Sequence, residues 1–205
     1  MDSMLGHAPR KFACLLGALL CACASAQQPE PATLIHTGQI VAGSHATPYL
    51  IRHLPVSSFP DLPAPLALLL NRRGCLIPQS YEAHHPENVI HASLERAGST
   101  DWALLCSVQG RVSLLVYFSS APTEVQELAT APETERLQAH DASGVLGFNW
   151  AIDPATPEQI RTMQIGLPHR PPLADHDALA DSVVEGRAVY RFYTKNAWTV
   201  LEMPE

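Results

Sequence analysis

Residues 75–119 read CLIPQSYEAHHPENVIHASLERAGSTDWALLCSVQGRVSLLVYFS, and this stretch decides the fold. Asn88–Glu95 alternates, with Ile90, Ala92 and Leu94 on one side and His91, Ser93 and Glu95 on the other, which is the period of a half-buried strand. Arg96–Asp101 is a hairpin loop in which Gly98 can take positive φ. Trp102–Ser107 and Val112–Phe118 are apolar on both faces and are separated by Gln109-Gly110, so they read as central strands joined by a tight turn. The expectation is a three-stranded antiparallel meander.

Working outward toward the N-terminus, Asp61 is suited to cap a helix with Pro63 in its first turn. Leu66, Leu69 and Leu70 form its apolar stripe, and Arg72, Arg73 and Gly74 stop it. Cys75 then leaves a helix end, so a bond to Cys106 would pin that helix to the second meander strand. Pro78 and Pro86 argue against a regular element between Cys75 and the first strand. Residues 27–60 read as a proline-rich leader followed by two short edge strands, Leu34–Val41 and Pro48–Leu54.

Toward the C-terminus, residues 123–140 carry Val125, Leu128 and Leu137 at a spacing that fits helix or strand, with Pro132 as a break. Gly144–Ile152 alternates as a strand. Thr156, Pro157 and Gln159 form the signature of a capping box opening a short helix. A proline-bounded loop leads to a helical turn near Ala178. Gly186–Tyr193 and Ala197–Met203 then make a hairpin about Lys195 and Asn196. The fold class expected is α+β, a single domain over residues 61–205, dominated by an antiparallel sheet of meander plus C-terminal hairpin with a few short helices.

At the other end, Arg10 and Lys11 precede the apolar run Phe12–Cys23, and Ala24-Ser25-Ala26 fits signal peptidase, so residues 1–26 read as a secretory signal. Leu20-Cys21-Ala22-Cys23 also fits a lipobox, which would make residues 1–22 the signal and Cys23 the lipidated first residue. The protein is thus expected to be periplasmic or secreted, with a membrane-anchored lipoprotein as the alternative. No later segment is apolar enough to span a bilayer. Of the five cysteines, Cys14, Cys21 and Cys23 belong to the export segment. Cys75 and Cys106 remain, and in an oxidising compartment they suggest one disulfide, with buried free thiols as the alternative.

The formal net charge is −7, and removal of the signal makes it about −8. Such a balance argues against nucleic acid or anionic lipid and for a cationic or neutral envelope partner. The chain contains no nucleophile elbow and no phosphate-cradling glycine loop, so no residue is assigned a catalytic role and no cofactor is expected. The densest polar chemistry is Asp175, His176, Asp177, Asp181 and Glu185. Asp177 and Asp181 would share a helical face at i, i+4, giving either caps and loop structure or a divalent-cation site for a metal-dependent hydrolase working with His84 or His85. His84, His85 and Glu87, with His91, are a weaker set read chiefly as a solvated loop. Glu95, Gly98 and Asp101 lack the ligand alternation of a calcium loop. Trp102, Trp150 and Trp198 fall in apolar strands and read as core.

The strings RGCLIPQ (Arg73–Gln79), ENVIHASLERAGSTDWALLCS (Glu87–Ser107) and HDALADSVVEGRAVYRFYTKNAW (His176–Trp198) resemble those of a group of uncharacterised exported bacterial proteins. The resemblance implies an exported single domain carrying the Cys75–Cys106 bond and supplies no activity. The segment around Asp101 is also loosely similar to β-propeller repeats with acidic loops, but no second copy follows at a fixed period. The expected function is a non-enzymatic, inhibitor-like binding module. An acidic exported domain suits a cationic target such as a lysozyme, a comparison that rests on charge and compartment alone.

Overall fold

The computed structural model describes residues 33–169 and 171–204. The expected export segment, with Cys23 and both cleavage readings, lies outside the described residues. Thirteen strands and two helices follow in the order β1 (Leu34–Ala42), β2 (His45–Pro55), α1 (Ala64–Arg73), β3 (Leu76–Gln79), β4 (Val89–Ala92), β5 (Asp101–Val108), β6 (Arg111–Tyr117), β7 (Gln126–Pro132), β8 (Leu137–Ala139), β9 (Leu146–Phe148), β10 (Trp150–Ala155), α2 (Pro157–Met163), β11 (Ala178–Val183), β12 (Ala188–Thr194) and β13 (Ala197–Val200).

Two sheets result. The larger has the order β7-β6-β5-β3-β2-β9-β8, with β1 added on β2 and β4 on β5, and the smaller is β10-β11-β12-β13. Antiparallel pairing dominates, as expected, but β2 and β9 run parallel. The larger sheet is therefore mixed: β4, β5 and β6 pair antiparallel in sequence order as expected, but β3 and β2 also join beside β5, so the sheet as a whole is not a simple meander.

Strand β5 explains the layering. Ala103 and Leu105 enter one core with Leu114, Phe148, Trp150 and Leu179, which joins the two sheets. Leu104 and Cys106 face the other way and pack with Leu66 and Leu70 of α1. Both faces of β5 are covered along Ala103–Cys106, and the sequence there is apolar at every position. A third, smaller core lies between α2 and the far side of the small sheet, around Ile160 and Ala178. The layers are thus α1, large sheet, small sheet and α2.

Several local expectations hold. Gly74 closes α1 with φ 72° and its N–H on the Asn71 and Leu70 carbonyls, the left-handed helix stop that glycine adopts without a Cβ clash. Thr156 and Gln159 form the reciprocal capping box of α2. Lys195 and Asn196 both have positive φ at the β12–β13 turn, as a two-residue hairpin requires. Cys75 and Cys106 lie at disulfide distance with Cα atoms 5.1 Å apart, and the pair ties the end of α1 to β5.

Others are corrected. Asp61 does not cap α1, because the helix starts at Ala64 and its cap position falls on Pro63, which has no side-chain cap to offer. Pro48–Leu54 is not an edge segment, since β2 pairs with β1, β3 and β9, and the large sheet takes in residues from Leu34 onward. Pro78 stands inside β3, where pairing to β5 is confined to Leu76 opposite Ser107, so the missing N–H is tolerated. Gly144–Ile152 is split at Asn149 into β9 and β10, which belong to different sheets. The helical turn near Ala178 is instead β11, because it is clamped by β10 on one side and β12 on the other.

Candidate functional site

Strand β2 presents alternate residues to opposite faces, so Ile51 and His53 point one way and Arg52 and Leu54 the other. Ile51 is fully buried and His53 nearly so. Arg52 is half-buried, and its Nη2 donates to the carbonyls of Ser80 at 3.0 Å and Ala83 at 2.7 Å. Two neutral acceptors thus fix the guanidinium, and among the described residues it joins no ion pair.

Arg52 and Gln79 stand between two clefts. One, of about 280 Å³, is bordered by Tyr81, His140, Asp141 and Ser143. The Tyr81 and His140 rings stack at 4.5 Å and 8°, and Tyr81 Oη donates to Glu185 at 3.0 Å. Burial first, and then the Glu185 carboxylate, push the Tyr81 phenol up to about 12, so it serves as a hydrogen-bond donor and not as a base. The second cleft, of about 360 Å³, is bordered by Thr33, Leu54, Ser58, Ala83, His84 and His85.

The opposite face of β2 holds a buried polar centre. Glu133, 2 % exposed, accepts from His53 Nε2 at 2.6 Å and from Ser107 Oγ, while His36 Nδ1 approaches its other oxygen at 3.5 Å. Burial alone pushes the Glu133 carboxyl up. The hydrogen bonds from His53 and Ser107, the His53 charge and His36 outweigh that effect and hold it below its ordinary value. An ionised carboxylate only accepts, so His53 carries its proton on Nε2. Serine, glutamate and histidine here do not form a nucleophilic triad. Both the hydroxyl and the imidazole donate to the carboxylate, so the serine proton faces Glu133 and not the imidazole that a triad requires.

Asp101 is a second buried carboxylate, fully shielded from solvent. Oδ2 accepts from the Leu94 and Glu95 N–H groups and from Ser99 Oγ, and Oδ1 from the N–H and hydroxyl of Ser119. Its lone pairs are consumed by the β4–β5 and β6–β7 loops, which gives the residue an architectural role.

The acidic set does not converge. Asp175 is exposed and accepts from His176 Nδ1 at 2.7 Å, and that bond, with its own backbone N–H, holds the carboxyl below its usual range. His176 is buried, places Nε2 2.9 Å from the Tyr193 carbonyl and stacks on Phe192. Asp177 accepts from the Ser93 N–H. Asp181 accepts the Trp150 indole N–H at 2.6 Å and both Nε and Nη2 of Arg191. The helical face that was to join Asp177 and Asp181 does not exist, because residues 178–183 are strand. Among the described residues no three His, Cys, Asp or Glu side chains group as a metal site.

Of the tryptophans, Trp150 is core, whereas Trp102 and Trp198 are only half-buried, with Trp102 stacked on His91 and Trp198 donating to Gln126. Sequence reasoning passed over Arg52, Glu133 and Ser107. The alternation of β2 was the one available signal for Arg52. The His53–Glu133 contact spans 80 positions and has no local trace. Comparison of the chain with protein-family models, with curated proteins and with solved structures finds no match.

Proposed function

We propose that the protein is an exported, non-enzymatic binding module that receives an extended partner segment along β1. The observation that carries this reading is the free edge of that strand. Among the described residues β1 pairs with β2 alone, and its nine residues, LIHTGQIVA, contain no proline and no fixed charge. Leu34, Ile35 and Val41 are 49, 62 and 71 % exposed. Isolated edges of this kind are normally blunted by lysine, proline or a bulge, so a bare one suits strand addition. The acidic balance of the chain favours a cationic or neutral partner. The Cys75–Cys106 pair supports an oxidising compartment.

Isothermal titration against a cationic cell-wall muramidase tests the reading, using the wild type and the double variant Ile35→Glu, Val41→Glu. Edge docking predicts at least tenfold weaker binding for the variant although its charge is more favourable. Tighter binding by the variant would reduce the interaction to bulk charge, and no binding by the wild type would remove this class of partner.

A further inference from the structure

We propose that the 360 Å³ cleft between the outer face of β2 and the Ala83–Pro86 loop is a binding site for a small organic carboxylate, with the Arg52 guanidinium as its anchor. The chain has 20 acidic and 13 basic residues. Yet among the described residues this cleft is bordered by one arginine and two histidines and by no carboxylate. Glu82 and Glu87 flank the loop in sequence but neither borders the cleft, and Glu87 Oε1 accepts the Ser80 N–H at 2.7 Å.

Arg52 is pre-organised for such a ligand. Its Nη2 is anchored on two carbonyls, and among the described residues no acceptor meets Nε or Nη1. With both Nη2 hydrogens spent on those carbonyls, Nε–H and Nη1 remain as single donors, and the uncompensated charge on an already fixed rotamer attracts a carboxylate with little loss of freedom on binding. His84 and His85 are exposed at the rim and supply further donors. Ser58, on the same wall, has a sealed Oγ that finds no hydrogen-bond partner among the described residues. Leu54, Ala83 and Pro86 add an apolar wall beside these donors. A charged head and an apolar body are therefore both accommodated, as in most small-molecule sites. The site is independent of the β1 edge, and either can fail without the other.

Benzoate, its neutral isostere benzamide and inorganic phosphate are the probes, read by calorimetry and by the NMR resonances of Arg52 Nε–H and of the His84 and His85 rings. Saturable benzoate binding that moves all three resonances, weakens at least tenfold in Arg52→Gln and at least threefold in His84→Ala, His85→Ala, and is absent for benzamide is the expected result. The double histidine variant alters only the exposed rim, so it reports on the site even where loss of the Arg52 anchor loosens the loop. Benzamide binding as tightly as benzoate, phosphate displacing benzoate at equal concentration, or unmoved histidine resonances would each overturn the assignment.

Discussion

His53 Nε2 lies 2.6 Å from Glu133 Oε1, and both side chains are buried at the junction of β2, β5 and the turn after β7. The contact joins the first hairpin to the far end of the large sheet, and it makes stability depend on the charge of one carboxylate. Glu133 is held below its ordinary value near 4.5 in the folded protein. Its contribution is therefore complete above the unfolded value and fades as pH falls below about 4.5 toward the folded one. Glu133→Gln is expected to cost about 2 to 4 kcal/mol at pH 7, with the difference from wild type shrinking at pH 3.5. Urea midpoints at the two pH values check this, and a pH-independent difference would show that the charge of Glu133 is not what matters.

Asp101, the first residue of β5, is expected to be the most sensitive of the residues that hold the loops. Asp101→Ala strands three backbone N–H groups, those of Leu94, Glu95 and Ser119, inside the protein. The expected loss is about 3 to 5 kcal/mol, since each orphaned buried donor costs about 1 kcal/mol or more. Asp101→Asn retains one acceptor oxygen and is expected to lose less. Thermal melts of the two variants give the order, and equal losses would contradict this division of roles.

The Cys75–Cys106 pair closes a separation of 31 residues. The chain-entropy relation gives about 3 to 4 kcal/mol for a loop of that size. Cys75→Ala, Cys106→Ala should lower the denaturation midpoint accordingly, and dithiothreitol should have no further effect on the variant. Peptide mapping under non-reducing conditions checks the pairing itself.

Gly147 is required by close packing and not by its backbone angles. A Cβ there would meet Tyr81 Cβ at 2.5 Å and the His140 ring at 2.9 Å. The first of these atoms is next to the main chain and has little room to retreat. Gly147→Ala is expected to destabilise by about 1 to 3 kcal/mol and to break the Tyr81–His140 stack. The near-ultraviolet signal of Tyr81 and the thermal midpoint report on both, and an unchanged midpoint would show that this wall yields freely.

What the sequence determined by itself was local and periodic. The double-faced apolar runs of β5 and β6, the Gly74 stop of α1, the Thr156–Gln159 box and the Lys195-Asn196 turn all depend on residues within one or two turns of each other. Short-range geometry and burial on both faces leave a readable pattern for these. The tertiary structure alone decided the order of the large sheet, the parallel β2–β9 pair, the strand state of residues 178–183 and the dispersal of Asp175, Asp177 and Asp181. It also brought Arg52 to the carbonyls of Ser80 and Ala83, and His53 to Glu133. These contacts join positions about 30 to 80 apart in the chain. Their partners are chosen by which faces the packed sheets bury together, and local sequence carries no record of that choice.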